Sequence, residues 1–275
     1  AGVPWYFDDE HKCYRIREGF SFPVVSLTDE ELLGQALATA ISSAPGLNVS
    51  AGAKPTTRKL LASSSAESAK LLQDAMAVVE VLGLKVADHS QSHEIIGTVQ
   101  RALIAGKQLE GRYQSPYQAK PVKLTLNPIR LCFIKQAWYL IGKPNDGEAI
   151  KSYRIARFKA LRMTETEAIA PADFKLDEFL GNAWGVYRGE PTFDVEVLFT
   201  PDAAPLVVET VWHHSQKVKK QKDGSVILSF RVDGLSEIVH WVLGWSGRAK
   251  VIKPQELRAL VIEHLRSALK LNEES

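Results

Sequence analysis

Asn127-Pro128-Ile129-Arg130-Leu131, Ala137-Trp138-Tyr139-Leu140-Ile141-Gly142 and Tyr153-Arg154-Ile155-Ala156-Arg157 lie in a stretch where apolar runs are short and turn residues frequent. From about residue 107 to 164 the β-like runs are 108–113, 123–127, 130–134, 137–142, 150–155 and 159–163. Five or six strands in so short a span predict a small β-barrel.

Downstream, residues 171–189 read as a short helix and a connector. The order then runs strand (192–199), helix (201–209), strand (216–221), strand (225–232), helix (236–243), strand (250–252) and long helix (254–271). Asp223-Gly224 between two β runs is a hairpin signal. This βαββαβ order with a terminal helix predicts a ferredoxin-like layer of helices on a sheet.

Upstream, Val3–Phe7 and Cys13–Ile16 flank a polar turn and predict a hairpin. Thr28 and Glu31 have capping-box spacing before a helical face of Leu32, Leu33, Ala36, Leu37 and Ala40, which Pro45-Gly46 ends. Ser64 and Glu67 repeat the spacing before a helix carrying Leu71, Leu72, Ala75, Val78, Val79 and Leu82, closed by Gly83. A third helix is predicted from about Ser92 to Gly106. The Ala/Ser/Gly/Pro-rich stretch 34–60 reads as a mobile link between the first two helices.

The bulk numbers agree with an α+β chain of two or three domains. It has 275 residues, 45% hydrophobic and 24% charged, a globular balance. No apolar run is long enough for a membrane span and no signal-peptide pattern opens the chain, so a cytoplasmic protein without a membrane partner is expected. Cys13 and Cys132 stand alone, which argues against a disulfide framework or a zinc site. His89, His93 and the His213-His214 pair lack a metal-ligand context, and no cofactor or metal is expected. No Gly-x-Ser-x-Gly, Walker or GxGxxG pattern is present, so the chain does not read as an enzyme, although a hydrolase of unfamiliar geometry stays open.

A net charge of +2 does not itself point to nucleic acid, so local clustering must carry that reading. Between Ile150 and Arg162 stand Lys151, Arg154, Arg157, Lys159 and Arg162 with no acid among them. Guanidinium groups bind phosphate in a planar fork and stack on bases, and Tyr113, Tyr139 and Tyr153 supply aromatic faces. The competing reading is a solvated strand edge. Arg154 and Arg157 face opposite sides of an ideal strand, so a shared site requires a break near Ala156. Trp138 and Leu140 alternate inward as core, while Tyr139 reads either as packing or as a ligand platform. Ser115 could donate to a phosphate or simply serve a turn. Arg130 could anchor the barrel or reach the ligand. Lys217, Lys219, Lys220 and Lys222 read first as a solubilising hairpin and second as a nucleic-acid contact.

Trp138-Tyr139-Leu140, with Asn127–Leu131 before it and Tyr153–Arg157 after it, resembles the hallmark of the WYL domain. Phe199-Thr200-Pro201, Val211-Trp212-His213, Trp241–Trp245 and Pro254-x-x-Leu257-Arg258 are similar to the extension that accompanies WYL domains. Gly2–Arg15 resembles the wing of a winged helix-turn-helix. The resemblance implies a wing remnant (1–20), a helical linker and dimerisation region (21–90), an Sm-like (SH3-like) barrel WYL domain (91–166), a connector (167–190) and a ferredoxin-like extension (191–275).

It implies a homodimeric bacterial transcription regulator whose WYL domain binds a single-stranded nucleic acid or nucleotide effector at Tyr113, Ser115, Arg130, Tyr139, Arg154 and Arg157. Tyr14, Arg15 and Arg17 would be the DNA-contacting residues of the wing. The chain opens on Ala1, in what reads as the middle of a fold, so a fragment lacking most of the DNA-binding head is expected. The alternative is a nucleic-acid-binding accessory module that regulates a separate machine.

Overall fold

The Thr28–Glu31 spacing forms the cap it predicts. Thr28 Oγ1 accepts from the Glu31 amide, and the Glu31 carboxylate accepts from the Thr28 amide at 2.8 Å, starting α1 (Asp29–Ser42). The computed structural model describes residues 5–16, 27–43, 50–81, 87, 92–147 and 149–274. The chain divides into two compact units, residues 1–140 with 153–167, and 141–152 with 168–275.

In the first unit, β1 (Trp5–Asp8) and β2 (Cys13–Ile16) make the expected antiparallel hairpin. Asp8 Oδ1 accepts from the amides of Glu10 and His11, each at 3.0 Å, and so shapes its turn.

Three helices follow the hairpin rather than two joined by a loose link: α1, α2 (Ser50–Ser63) and α3 (Ala66–Ala77). Local propensity hides α2 because it is rich in small residues and carries Pro55. Tertiary contacts hold it instead. Thr57 is 2% exposed, with its hydroxyl 2.9 Å from that of Thr39 and 3.0 Å from Gln35 Nε2, which donates to it. Leu32, Ala36, Leu72 and Ala75 form the small core between these helices, and Leu61 packs on it.

The second cap falls one residue later than its spacing predicts. Ser65 accepts from the Ser68 amide, while the Ser64 hydroxyl turns back to the Leu60 carbonyl. This helix closes at Val78, so Val78 and Val79 are not on it, and the expected Leu82 and Gly83 end lies outside the described residues, as does Pro45-Gly46.

Helix α4 (His93–Ala105) ends on Gly106 at φ 63°, the left-handed conformation that favours glycine at a helix end. The chain then enters β3 (Lys107–Tyr113), β4 (Val122–Ile134), β5 (Ala137–Pro144), β6 (Lys151–Arg154) and β7 (Phe158–Glu167). The two strands expected at 123–127 and 130–134 are one, because β4 continues through a buried Pro128. Strand order is β6-β5-β4-β3-β7, with β3 antiparallel to both β4 and β7. The order is linear with β6 and β7 at its edges, so no hydrogen-bonded ring closes it. The link between them is a 3-10 turn, Ile155–Arg157, which interrupts the ladder. Val99 and Ala102 of α4 pack with Leu109, Leu126, Leu140 and Ile155, all fully buried, and Trp138 packs on the same core.

The second unit follows its predicted order closely. Here β8 (Thr192–Phe199), α6 (Ala204–Val208), β9 (Lys217–Lys220), β10 (Val226–Asp233), α7 (Ile238–Leu243), β11 (Ala249–Lys253) and α8 (Gln255–Glu273) follow the short helix α5 (Leu176–Leu180). The antiparallel order is β11-β8-β10-β9. Alternate residues Val195, Val197 and Phe199 of β8 face a core shared with Val207, Ile238, Val242 and Leu257, the period-2 burial of a sheet covered on one face. Two carboxylates tie the connector to this layer. Asp233 accepts from the Asn182 amide, Arg188 Nε and Thr192 Oγ1, and Glu237 accepts from the amides of Gly185 and Val186. Gly234, at φ 80°, comes so near Gly189 that a Cβ on it would meet the Gly189 Cα at 2.8 Å.

Candidate effector site

Four of the six expected effector residues meet at one end of β3. Tyr113 closes that strand, and its phenolic oxygen accepts from the Arg154 amide at 3.2 Å. The next residue, Gln114, donates its amide to the Arg157 carbonyl at 3.0 Å. These two bonds hold the segment 113–115 against the turn that carries Arg154 and Arg157. The turn is the break required near Ala156, and it frees the two arginines from strict strand alternation.

Within this arrangement the residues do different work. Tyr113 is 8% exposed, its ring edge-on to Tyr153 at 5.3 Å and to Phe158 at 5.0 Å. It is a core residue that fixes the turn rather than an open stacking platform. The Ser115 hydroxyl accepts from the Tyr117 amide at 3.3 Å, and its carbonyl accepts from Gln118, which is turn chemistry. Tyr139 is half-buried on β5, and Arg130 is exposed on β4. Arg130 acts on Cys132, two residues along the same strand: burial pushes that thiol's pKa up, and the guanidinium opposes the shift.

The basic run sorts itself by partner. Arg162 pairs with Glu110, directly opposite it in the β3–β7 register, so it contributes little free charge. Lys151 and Lys159 are exposed. Arg154 and Arg157 are half-buried, and no carboxylate among the described residues lies within ion-pair distance of either. A partly desolvated guanidinium without a counter-ion is a strong receptor for an anion, above all one that can accept a forked pair of hydrogen bonds.

Sequence reasoning passed over Gln114. Its side chain donates to the Gln118 carbonyl at 2.6 Å while its amide binds Arg157, and no local signal marks that double role. In the hairpin, Tyr14 is 69% exposed and Arg15 pairs with Asp8 at 2.7 Å. Arg17 lies outside the described residues.

His213 stacks on Trp184 at 5.6 Å with its Nδ1 2.8 Å from the Ser215 hydroxyl, a packed and bonded histidine. Among the described residues no cluster of three or more His, Cys, Asp or Glu could hold a metal ion. No helix among them is long and apolar enough to cross a membrane.

Comparison with known proteins places these features in context. Residues 94–163 match the model of the WYL domain, and residues 191–269 match that of the WCX domain. No curated protein matches the chain significantly. Among solved structures it is similar to proteasome accessory factor B/C of Arthrobacter aurescens, at 19% identity and a TM-score of 0.32, over 91% of this chain and 37% of that one. The chain thus spans little more than a third of that protein's length. It is also similar to a CRISPR Cas-related protein, at 12% identity and a TM-score of 0.42, over 93% of this chain and 76% of that one.

Proposed function

We infer, from a chain that belongs to the WYL-domain proteins and carries a WCX domain after it, that it is a ligand-responsive bacterial transcription regulator whose WYL domain receives a nucleic-acid or nucleotide effector. The observation that carries this reading is the broken strand at Ile155–Arg157, which brackets two half-buried, unneutralised arginines and is bonded to the end of β3. Phosphate is the anion this pair fits, because each guanidinium can offer two parallel donors to one phosphate.

In the mechanism, the regulator is a cytoplasmic homodimer with two arrangements that differ in their grip on DNA, and Tyr14, Arg15 and Arg17 belong to the DNA-contacting wing. Effector binding at Arg154 and Arg157 moves the equilibrium only as far as its affinity for the two arrangements differs. Arg130 and Tyr139 complete the receptor in this reading, Tyr113 positions it from beneath, and Ser115 shapes the turn beside it. The Sm-like reading of the open WYL sheet belongs to the same proposal, with the 3-10 link as the corner at which β6 passes to β7. The ferredoxin-like reading of the last domain is supported by its βαββαβ order and its β11-β8-β10-β9 sheet.

The test is fluorescence anisotropy with short single-stranded DNA, RNA and cyclic nucleotides over a range of salt, on wild type and the Arg154→Ala/Arg157→Ala variant. Wild type binds one of these ligands saturably, with an affinity that falls as salt rises. The double variant keeps its fold and loses that binding; undiminished binding would refute the site.

A further inference from the structure

Within the second unit, the helices pack on one face of the sheet, and the strand registers fix what the other face displays. Lys219 pairs with Ile227, Ile227 with Leu198, and Leu198 with Lys250. Directly paired residues share a face, so one row across four strands reads lysine, isoleucine, leucine, lysine. The neighbouring row begins with Lys217 opposite Ser229, and Arg231 opposite Asp194 follows on the same side.

Lys217, Lys219, Arg231 and Lys250 are exposed, whereas Leu198 and Ile227 are half-buried. The carboxylate of Glu196, also on this face, is taken by Lys253 at 3.0 Å. No carboxylate among the described residues lies within ion-pair distance of the three lysines. Protection of a sheet edge explains a cation on β9 or on β11, the two edge strands. It does not explain Arg231, which stands opposite Asp194 on the interior strand β10, nor why Lys217, Lys219 and Lys250 share its face.

We propose that this face is a binding track for single-stranded nucleic acid, separate from the arginine site of the WYL domain. Its dimensions follow from sheet geometry: Lys217 and Lys219 are spaced by about 7 Å along β9, and Lys219 and Lys250 by about 14 Å across three strand intervals. A single strand carries its phosphates along one side and its base faces on the other, so phosphates meet the lysine rows while bases lie over Leu198 and Ile227. A duplex hides its base faces and uses only the cations. Among the described residues these strands place no aromatic ring on this face, which makes binding electrostatic and tolerant of sequence.

The experiment is a titration of the full chain with a labelled 20-nucleotide mixed-sequence strand between 50 and 200 mM salt, on wild type, Lys217→Gln/Lys219→Gln/Lys250→Gln, and Arg154→Ala/Arg157→Ala. Single strands lose about 0.7 in the slope of log affinity against log salt for each phosphate contact removed, so the triple variant has a slope shallower by about 2. It also binds roughly tenfold or more weakly at the lowest salt, with an unchanged melting curve. The arginine variant retains the lysine-dependent part of the slope, which separates failure of this face from failure of the effector site. The proposal is overturned if wild type binds no strand, if the triple variant keeps the wild-type slope, or if duplex binds as tightly as single strand. Competition by polyglutamate as effective as by oligonucleotide also overturns it, in favour of an acidic polypeptide partner.

Discussion

The backbone amide of Arg154 donates to the phenolic oxygen of Tyr113, 41 residues earlier in the chain, so the start of the arginine-bearing turn is held by a residue at the end of another strand. Replacing Tyr113 by Phe removes that acceptor and keeps the ring between Tyr153 and Phe158. A part-buried amide then loses its partner, at a cost of about 1 kcal/mol. The expected outcome is a lower urea midpoint, with faster hydrogen exchange at the Arg154 amide and weaker effector binding. Tyr113→Ala also empties core volume and costs about 3–5 kcal/mol. An Arg154 amide that stays equally protected in Tyr113→Phe would show that the bond does not fix the turn.

How much of this was legible in the sequence depends on how local the controlling interactions are. Thr28 and Glu31 are three residues apart, and the apolar alternation of Val195, Val197 and Phe199 lies within one strand, so the first helix cap and β8 can be read directly. The need for a break near Ala156 also follows from strand alternation alone. Helix α2 could not be read in the same way, since the buried Thr39–Thr57 contact that secures it joins residues on two helices. Nor could the neutralisation of Arg162, which depends on the β3–β7 register bringing Glu110 opposite it. At the candidate site the residue types were visible, but the division of labour was not. Only the burial of Tyr113 and the internal bonds of Ser115 separate supporting residues from available ones.

The capping box at α1 gives a separate stability test. Thr28→Ala leaves the Glu31 amide without its side-chain acceptor and frees the Glu31 carboxylate from the Thr28 hydroxyl. A loss of about 1 kcal/mol is expected, typical of an N-cap threonine. Amide exchange should quicken in the first turn of α1 while protection in the β3–β7 sheet is unchanged. Uniform quickening across both would mean that the cap is not a local determinant.

The two cysteines should differ in reactivity. Cys13 is exposed, whereas Cys132 is half-buried and its thiol pKa is raised by desolvation, with Arg130 working in the opposite direction. The thiolate is the reacting species, so iodoacetamide near neutral pH should label Cys13 first, as followed by peptide mass spectrometry. Arg130→Ala removes the opposing charge and should slow Cys132 further. Faster labelling of Cys132 in that variant would show that Arg130 shields the thiol instead of favouring its ionised form.

Asp233 ties the connector to the end of β10, and its ionisation should be visible in the pH dependence of stability. Burial raises its pKa and is the largest single influence. The bonds from Thr192 Oγ1 at 2.6 Å, the Asn182 amide at 2.9 Å and Arg188 at 3.0 Å together outweigh it, and the folded-state pKa is lowered. A carboxylate whose pKa is lower in the folded state contributes stability that is fully present above its unfolded value, near 3.9. That contribution is lost as the pH falls from there through the lower folded value. Asp233→Ala also strands the Asn182 amide and the Thr192 hydroxyl, a cost of about 3 kcal/mol at neutral pH. Tryptophan fluorescence is a suitable probe, because Trp184, Trp212, Trp241 and Trp245 all belong to this unit's packed layer. The urea midpoint of wild type should decline as pH drops below about 4, and the difference between wild type and Asp233→Ala should narrow over the same interval. A difference that stays constant down to pH 2 would mean that the stability supplied by Asp233 does not depend on its charge.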